Sequence, residues 1–310
     1  MLQRFPIIVG PTGGGKSALA MALAERVGAL AEIVSADSMQ VFRGMDIGTA
    51  KPSAEERARV PHHLIDVEEP RESYNVERWL RVAEPIIDDI RARGGLPIVV
   101  GGTHLYAKAL LEGMFDGPGA DEGLRAELAA LPRSERRAEL ERVDPHAATR
   151  IHPNDDRRTI RALEVFRLTG KAISQWQTEW DSGRARTDRL LVGLDWGHGQ
   201  VNGRINARVK QMVRDGLVEE VRGLWTRGVL GPQAREAIGY KQLVAHLEGH
   251  CTLDEAIERV KIETRRFAKN QRTWLRRLRS TPASVWLAMP ETSTDDAVER
   301  VLGACRGEKT

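Results

Sequence analysis

The sequence has 310 residues, of which 41% are apolar and 29% are charged. This composition permits a large buried core, so no disulfide or metal is needed to stabilise the fold. Cys251 and Cys305 lie far apart without metal-ligand spacing, which favours two reduced thiols. No apolar run approaches the roughly 18 residues of a membrane span and no signal peptide is recognisable, so a cytoplasmic protein is expected. The net charge of +3 permits a polyanionic partner without requiring one.

The amino-terminal segment predicts a strand, a glycine-rich loop and a helix in direct succession. Apolar residues Phe5–Val9 favour the strand, and the Ala- and Leu-rich residues 18–27 favour the helix. The loop between them matches the pattern G-x-x-x-x-G-K-[ST] and consists of Gly10, Pro11, Thr12, Gly13, Gly14, Gly15, Lys16 and Ser17. Its glycines let backbone N–H groups point inward, and the helix directs its positive amino-terminal end to the same place. Lys16 adds a full charge and Ser17 can ligate Mg²⁺, so the loop predicts binding of a diphosphate or triphosphate.

Short apolar segments alternate with helical patterns along the rest of the chain. Strands are expected at residues 33–35, 63–67, 97–100, 190–196 and 284–288. Helices are expected at residues 76–93, where Pro85 introduces a kink, at 202–225, and from Thr252 towards Leu278. Thr252 with Glu255 three residues on fits a capping box. This alternation predicts an α/β protein with a parallel sheet that carries helices on both faces.

Residues 121–182 break this alternation, because they contain helix-like segments and no convincing strand. We therefore expect a helical insertion at residues 119–183, a core formed by residues 1–118 and 184–295, and a carboxy-terminal tail at 296–310. Between residues 121 and 183 the chain holds 11 basic and 12 acidic residues. Despite a basic cluster around Arg157 and Arg161, this composition alone does not predict RNA binding.

Two aspartates follow predicted strands, at the edge where parallel sheets bind their ligands. Asp37 comes directly after the second strand, and Asp195 ends a later one. Asp37 is a candidate base beside the phosphates, but a turn or capping aspartate in Ser-Ala-Asp-Ser is an equal alternative from spacing alone. An ATPase needs an acidic residue at the end of an apolar strand, and Asp195 is a weak candidate for that role.

Two groups of basic residues offer further anion contacts. Arg204 and Arg208 lie four residues apart on one helix face and can converge on one anion, although surface pairing with acids explains this pattern equally well. Trp274, in the last long helix, is expected to pack in the core rather than to stack on a base. The same helix carries seven basic residues that suit a phosphate-facing surface, namely Arg265, Arg266, Lys269, Arg272, Arg276, Arg277 and Arg279.

Several further motifs accompany the glycine-rich loop. They are S-A-D-S-M-Q at residues 35–40, G-M-D-I-G-T-A-K-P at 44–52 and V-G-G-T-H-L-Y at 100–106. Others are R-I-H-P-N-D at 150–155, R-A-L-E-V at 161–165, I-G-Y-K-Q at 238–242 and Q-x-T-W at 271–274. Together these motifs resemble the tRNA dimethylallyltransferase family over nearly the whole chain. The loop alone is shared by many unrelated ATP-binding and nucleotide-binding enzymes, whereas the combination is specific.

The resemblance implies a fold and a reaction. The fold is a P-loop NTPase-like parallel sheet core with an all-helical insertion that binds tRNA. In the reaction, dimethylallyl diphosphate donates its five-carbon group to the exocyclic N6 amine of the adenine 3′-adjacent to the anticodon, with Mg²⁺ as cofactor. The implied partners are dimethylallyl diphosphate and the anticodon stem-loop of tRNA. The enzyme is expected to be monomeric and to act without a membrane.

The resemblance also assigns roles to single residues. Asp37 matches the base that activates the amine, Thr103 matches a residue that hydrogen-bonds near the reacting groups, and Lys16 completes the catalytic set. Diphosphate binding falls to residues 10–17 and metal binding to Ser17. We add Arg208 to the diphosphate contacts because of its helix position one turn after Arg204. The expected tRNA contacts are Asp37, Ser38, Met39, Gln40, Thr103, Arg125, Arg157, Arg158, Arg161, Gly239, Tyr240 and Lys241.

Three positions depart from the family pattern. Phe42 stands where tyrosine is frequent, His104 where glycine is usual and Asn270 where arginine is common. We expect Phe42 to lack a hydroxyl contact and the larger His104 side chain to narrow the channel mouth. The change to Asn270 puts one tRNA contact in doubt. The residues expected to carry the chemistry are unchanged.

Two other classes of function stay open on the sequence. One is a small-molecule enzyme, either a P-loop nucleotide kinase or a prenyltransferase acting on free adenine nucleotides. The other is an RNA-binding protein that is gated by nucleotide and leaves no modified base.

Overall fold

Six parallel strands form the sheet at the centre of the fold. The computed structural model describes residues 2–114, 117–181 and 186–308. The strands are β1 (Phe5–Val9), β2 (Ala31–Ser35), β3 (His62–His63), β4 (Leu96–Gly101), β5 (Arg189–Trp196) and β6 (Ser284–Met289). They lie in the order β3-β2-β4-β1-β5-β6, and every neighbouring pair is parallel. The predicted α/β fold with a parallel sheet is confirmed.

The helices divide between two compact units of the chain. The first unit, Met1–Leu111 with Ala185–Thr310, contains the sheet, and the second unit comprises Glu112–Arg184. The helices of the amino-terminal part are α1 (Lys16–Val27), α2 (Ala54–Arg59), α3 (Val76–Ala92) and α4 (His104–Glu112). Those of the second unit are α5 (Glu122–Ala130), α6 (Arg133–Val143), α7 (Pro145–Arg150), α8 (Asp156–Thr169) and α9 (Ile173–Asp181). Those that follow β5 are α10 (Asn202–Arg214), α11 (Leu217–Thr226), α12 (Pro232–Arg235), α13 (Tyr240–Leu247), α14 (Leu253–Leu278) and α15 (Thr294–Arg306).

The second unit has a small apolar core of its own. Leu128, Leu140, Leu163 and Val165, from helices α5, α6 and α8, are fully buried in it. Helix α8 begins after Asp155, whose side chain accepts a hydrogen bond from the Arg158 amide. The described part of this unit is therefore a helical bundle that buries one apolar face of each main helix.

The carboxyl ends of the central strands bring three loops to one edge of the sheet. Strands β1 and β2 are buried along their whole length, as expected for parallel strands covered on both faces. In register, Ile8 of β1 pairs with Val100 of β4 and with Val192 of β5. Since neighbouring parallel strands end at the same edge, the phosphate loop after β1 lies beside the loops that follow β2 and β4.

Two predicted elements have different limits in the structure. The strand expected at residues 63–67 is wrong beyond His63, because Leu64 and Asp66 adopt left-handed φ angles of 62° and 57°. The helix expected at residues 202–225 is interrupted between α10 and α11, where Gly216 has a φ of 103°. Helix α3 continues through Pro85. The capping box before α14 is confirmed, because the Thr252 side chain accepts from the Glu255 amide.

Residues 296–306 form most of helix α15 instead of a tail. The helix buries Val301 and Cys305, and the Cys305 carbonyl accepts hydrogen bonds from the Gln3 and Arg4 amides just before β1. An apolar helical face thus outweighs the polar residues that suggest a tail. Along the described parts of the chain, no helix combines the length and apolar character that a membrane span requires.

Candidate active site

The phosphate loop folds tightly between β1 and α1. Gly13 and Gly15 have φ angles of 73° and 90°, which side chains other than glycine rarely adopt. At Gly14 a Cβ atom would approach the Pro11 carbonyl oxygen to 2.8 Å. Helix α1 starts at Lys16, so its amino-terminal N–H groups point into the loop. This geometry suits a phosphate group held by main-chain amides.

Three side chains from later parts of the chain hold this loop in place. Arg204 Nε donates to the Gly13 carbonyl at 2.7 Å, and Trp196 Nε1 donates to the Gly14 carbonyl at 3.0 Å. Gln271 Oε1 accepts from the Thr12 amide at 2.8 Å. Arg204 also lies over the Trp196 ring, with its guanidinium carbon 5.3 Å from the ring centroid. Arg204 therefore supports the loop through Nε, and it also lines a pocket next to the loop together with Arg208. The suggested contact of Arg204 to the diphosphate stays a prediction.

Lys16 is partly buried beside the loop that contains it. Its Nζ atom donates to the Pro11 carbonyl at 3.0 Å. Burial lowers its pKa from 10.5 to about 8, the charge of Asp37 opposes this shift, and Arg208 adds to it. An incoming anion would favour the charged ammonium again, so Lys16 is prepared to bind phosphate.

Arg208 on α10 is the second cation at this place. Its side chain lines the cavity next to Lys16 and Ser17. Burial lowers its pKa, and the nearby charge of Asp37 opposes that shift. Within the described residues, no carboxylate lies at ion-pair distance from its guanidinium. A partly buried arginine without an acidic partner suits an anionic ligand.

Asp37 and Thr103 come together from the loops after β2 and β4. Asp37 Oδ1 accepts from the Met39 amide at 2.9 Å, and Thr103 Oγ1 accepts from the Ser38 amide at 3.0 Å. The loops approach so closely that a Cβ atom on Gly101 would lie 2.0 Å from the Ala36 carbonyl oxygen. One Asp37 oxygen therefore closes a turn, as the alternative interpretation predicts, while no described group donates to the other. The role of Asp37 as a base stays a prediction.

Asp37 and Lys16 face the same point of the site. A Cβ atom built on Gly102 would lie 3.9 Å from Asp37 Oδ2 and 3.9 Å from Lys16 Nζ. Both residues line one cavity of about 630 Å³ within the first unit. The polar lining of this cavity also includes Thr12, Ser17, Ser38, Gln40, Thr103 and Arg208. Its apolar lining includes Ile205, Val209, Met212, Leu217, Val260 and Phe267.

The segment at residues 45–51 forms another wall of the cavity and is held by buried polar groups. Glu220 on α11 accepts from the amides of Asp46, Ile47 and Gly48 at 2.9, 2.7 and 3.1 Å. The Tyr240 hydroxyl also donates to Glu220, at 2.6 Å. Tyr240 is completely buried, and burial raises its pKa. In this structure Tyr240 supports the cavity wall rather than lying open to tRNA.

Gln40 and Lys51 fix the same segment from its other side. Gln40 Nε2 donates to the carbonyls of Thr49 and Ala50 at 3.2 and 3.1 Å, and its Oε1 accepts from Ser35. Lys51 is almost fully buried and donates to the Phe42 carbonyl and to two aspartates, Asp46 and Asp66. Gln40 lines the cavity, but its amide, which the family resemblance assigns to a tRNA contact, is already engaged by the protein.

The arginines expected to contact tRNA from the second unit have different environments. Arg125 Nε lies 2.9 Å from Glu164 Oε1, and Arg161 Nη1 lies 2.7 Å from Glu164 Oε2. The Glu164 side chain is completely buried. Arg158 pairs with Asp155 at 3.3 Å, and Arg157 is exposed with no acidic partner among the described residues. The sequence therefore did not anticipate the intramolecular pairing of Arg125 and Arg161.

The remaining candidates lie at the edge of the site or outside it. Gly239 lines the cavity with a φ of 100°, and Lys241 pairs with Glu236 at 2.6 Å. Asp195 pairs with Arg279 and is not part of the cavity lining. His104 is buried on α4, and burial and then the charge of Lys16 lower its pKa to about 4. His104 does not belong to the cavity lining, and its effect on the channel mouth stays a prediction.

Sequence reasoning missed three residues that shape the cavity. Gln271 was noted only as part of a motif, and Glu220 and Lys51 were given no role. Glu220 is one of two consecutive glutamates on α11, and only the fold shows which of them turns inward. The Q-x-T-W motif at residues 271–274 is the sequence signal that could have directed attention to Gln271, whose burial only the fold shows.

Comparisons with known proteins agree on one family. A sequence model described as IPP transferase matches residues 40–278, and one described as isopentenyl transferase matches residues 3–66. A tRNA dimethylallyltransferase of Geobacter sulfurreducens is 49% identical over 289 residues, covering 92% of this chain and 91% of that protein. The tRNA dimethylallyltransferase of Geobacillus thermodenitrificans is 47% identical over 285 residues, covering 89% and 88%.

Two solved structures share the fold. The tRNA isopentenylpyrophosphate transferase of Bacillus halodurans matches with a TM-score of 0.72 at 40% identity, covering 98% of this chain and 96% of that one. A eukaryotic dimethylallyltransferase acting on tRNA matches with a TM-score of 0.79 at 28% identity, covering 97% and 78%. Each match covers nearly the whole of this chain.

Proposed function

Since the chain belongs to the IPP transferase family, we propose that it transfers a dimethylallyl group from dimethylallyl diphosphate to tRNA. The acceptor is the exocyclic N6 amine of the adenine 3′-adjacent to the anticodon, and the products are N6-(dimethylallyl)adenosine and diphosphate. One observation carries this proposal: Lys16 and Arg208 lie near the Asp37 carboxylate in the same cavity. Prenyl transfer to an amine needs an anion site and a proton acceptor at this proximity.

The phosphate end of the cavity stabilises the leaving group. As the bond between the allylic carbon and oxygen breaks, negative charge grows on the departing diphosphate. The loop amides, Lys16 and Arg208 are already oriented towards this place, so little reorganisation is needed when the charge develops. The apolar wall that includes Val209 and Met212 is suited to the five-carbon group.

Asp37 acts on the acceptor amine, opposite the diphosphate. The N6 lone pair attacks the allylic carbon, and the N6 proton passes to the Asp37 carboxylate. Asp37 Oδ1 is held by the Met39 amide, which leaves Oδ2 to accept the proton. Thr103, tied to Ser38 and to the Ala36 carbonyl, fixes the loop opposite Asp37.

Mg²⁺ fits the phosphate end, with Ser17 as its protein ligand. Mg²⁺ usually retains several waters and binds through few protein oxygens together with substrate phosphates. Ser17 lies exposed at the start of α1, next to the loop amides. The parts of the chain that the structure describes contain no cluster of three or more acidic, histidine or cysteine side chains that could hold a metal ion. Diphosphate oxygens and waters would supply the other ligands. When bound, the ion neutralises charge on the leaving diphosphate.

The tRNA partner and the setting follow from the same proposal. The adenine must leave the stack of the anticodon loop to reach Asp37, which costs a few kcal/mol. Cations in the first turn of α8, such as exposed Arg157, are proposed to contact the stem-loop backbone. We propose that the enzyme works in the cytoplasm as a monomer, as the family resemblance implies, and the free thiols of Cys251 and Cys305 suit a reducing compartment.

Incubation with dimethylallyl diphosphate, Mg²⁺ and tRNA, followed by nucleoside mass spectrometry, tests this proposal. Prenylated adenosine should form from tRNA and not from free AMP. In Asp37→Asn the single-turnover rate should fall by about 10²–10⁴-fold while tRNA still binds, because the proton acceptor is lost. Asp195→Asn is the matched control, since Asp195 also ends a strand but lies outside the cavity lining. A near wild-type rate in Asp37→Asn would remove Asp37 from the mechanism.

A further inference from the structure

Gln271 is a buried amide at the centre of the active site. It lies on α14, and only 3% of the residue is exposed. Its Oε1 accepts from the Thr12 amide at 2.8 Å, and its Nε2 donates to the Gly102 carbonyl at 3.0 Å. Both bonds reach across long sequence separations to the loops that follow the paired strands β1 and β4.

The two partners of Gln271 belong to the two halves of the chemistry. Thr12 is part of the phosphate loop that carries Lys16, and Gly102 directly precedes Thr103 in the loop after β4. The position of a Cβ atom on Gly102 lies 2.9 Å from Gln271 Nε2 and 3.9 Å from both Lys16 Nζ and Asp37 Oδ2. The Gln271 amide therefore lies close both to Lys16, at the diphosphate end of the cavity, and to Asp37, at its proton-accepting end.

We propose that Gln271 is a positioning residue that fixes the distance between the diphosphate and the acceptor amine. This role rests on the proposed function, and it concerns alignment rather than contact with the reacting atoms. A displacement of about 1 Å between reacting groups costs about 10²-fold in rate. A side chain that joins both loops directly is well placed to prevent such a displacement.

The chemistry of the two contacts requires an amide of this length. The Thr12 N–H needs an acceptor, and the Gly102 carbonyl needs a donor. A glutamate would offer no donor to Gly102 and would add negative charge beside the diphosphate. A leucine would leave both backbone groups buried without a partner. An asparagine keeps the amide but is one methylene shorter, so it reaches one loop at a time.

The same protein contains a glutamine that serves as a matched control. Gln233 Oε1 accepts from the Tyr74 amide at 2.9 Å, and its Nε2 donates to the Tyr74 carbonyl at 3.0 Å. Gln233 therefore makes the same two kinds of bond to backbone, but it does not line the cavity. Its loss measures the cost of removing a bridging amide without any effect on alignment.

The test compares Gln271→Leu, Gln271→Asn and Gln233→Leu with the wild-type enzyme. With saturating dimethylallyl diphosphate and tRNA, single-turnover rates should fall about 10²-fold in Gln271→Leu and less in Gln271→Asn. The affinity for tRNA should be unchanged in both variants, and Gln233→Leu should keep its rate. A rate loss in Gln271→Leu no larger than in Gln233→Leu, at equal thermal stability, would overturn the proposal.

A second measurement separates this inference from the proposed function. Calorimetric titration with inorganic diphosphate and Mg²⁺ measures the affinity of the phosphate loop in the absence of tRNA. It should weaken about tenfold in Gln271→Leu and Gln271→Asn and stay constant in Gln233→Leu. If the wild-type protein binds diphosphate but prenylates no tRNA, the proposed function fails while this measurement still decides the role of Gln271. If Gln271→Leu does not fold, Gln271→Asn is compared with Gln233→Leu instead, and unchanged diphosphate affinity contradicts the proposal.

Discussion

At the scale of single residues, Lys16 should control how activity depends on pH. Burial lowers its pKa to about 8, so the free protein holds a charged ammonium below that pH and a neutral amine above it. A neutral Lys16 must take up a proton before it binds the diphosphate well. The value of kcat/KM for dimethylallyl diphosphate should therefore fall above about pH 8, approaching tenfold per pH unit. A pH series of initial rates at low substrate measures this decline.

The matched variant for this prediction is Lys16→Arg. Its guanidinium stays charged throughout the same pH range, although its different shape lowers activity overall. The decline above pH 8 should disappear in this variant. An identical decline in both proteins would assign the titration to another group, such as the substrate.

Residues of the site differ in how far sequence alone could locate them. Lys16 and Asp37 follow from a loop pattern and from the position after a strand, because both rules depend on local backbone geometry. The roles of Gln40 and Tyr240 depend on which distant carbonyls or carboxylates they meet. The motif placed them near the site, but only the fold shows that their polar atoms bind Thr49, Ala50 and Glu220.

At the scale of elements, Glu164 should hold helices α5 and α8 together. Burial alone would raise its pKa, but hydrogen bonds from Arg161, the Asp121 amide and Arg125 keep the pKa below its ordinary value. Glu164→Gln removes the charge that both arginines share and should lower the free energy of unfolding by about 2–3 kcal/mol. Urea denaturation followed by circular dichroism measures this loss.

The control for this prediction uses another acid that pairs with Arg125. Glu122 lies 3.4 Å from Arg125, but its side chain is 83% exposed, so Glu122→Gln should change stability little. Equal losses of unfolding free energy in the two variants would show that the buried Glu164 carboxylate stabilises the protein no more than an exposed one. Weaker tRNA binding in Arg125→Ala must accordingly be compared with its stability before it is assigned to a contact.

Glu220 connects helix α11 with the wall of the cavity at residues 45–51. Replacing it in Glu220→Leu leaves three backbone amides and the Tyr240 hydroxyl without their acceptor. Amide hydrogen exchange at residues 46–48 should accelerate at least about tenfold, and activity should fall because this wall loosens. Mass spectrometry of the peptide that contains these residues measures the exchange.

Glu219→Leu is the neighbouring control for Glu220→Leu. Glu219 is exposed on the same helix and makes no bond to this segment. Its replacement should leave the exchange rates at residues 46–48 unchanged. Comparable acceleration in both variants would mean that helix stability, not the carboxylate contact, protects these amides.

Sequence patterns predicted helices and strands well where local side-chain patterns determine their limits. They predicted them poorly where unusual backbone angles end an element. The strands and the Thr252 cap follow from apolar runs and from one capping pattern. The break at Gly216 and the left-handed residues Leu64 and Asp66 interrupt segments whose side chains alone suggest continuity. Helix α15 was missed because its apolar face becomes evident only when it packs beside β1.

At the scale of the whole molecule, the site assembles parts that are distant along the chain. The phosphate loop lies near the amino terminus, Thr103 follows β4, and Arg208 and Gln271 come from helices after residue 200. Motifs located the phosphate loop and Thr103, helix spacing suggested Arg208, and the role of Gln271 was not anticipated. The distances between these parts depend on the parallel sheet, which aligns the loop after β1 with those after β2 and β4.

The distribution of charge leads to a prediction about tRNA affinity. The net charge is only +3, so binding must depend on local groups of cations. Arg266 and Lys269 are exposed on α14, and neither has an acidic partner in the described part of the chain. If they contact phosphates, bound tRNA displaces counterions, and affinity falls steeply as salt rises. Replacing both with alanine should reduce the slope of log affinity against log salt by about 2.

Fluorescence titration of tRNA at several salt concentrations measures this slope. Arg81→Ala is the control, because Arg81 already pairs with Glu77 at 2.8 Å on α3 and should contribute little to the slope. The double variant should bind more weakly at low salt and converge with the wild type at high salt, where screening removes the difference. A parallel salt dependence in both proteins would place the phosphate contacts elsewhere and restrict α14 to its role in lining the cavity and carrying Gln271.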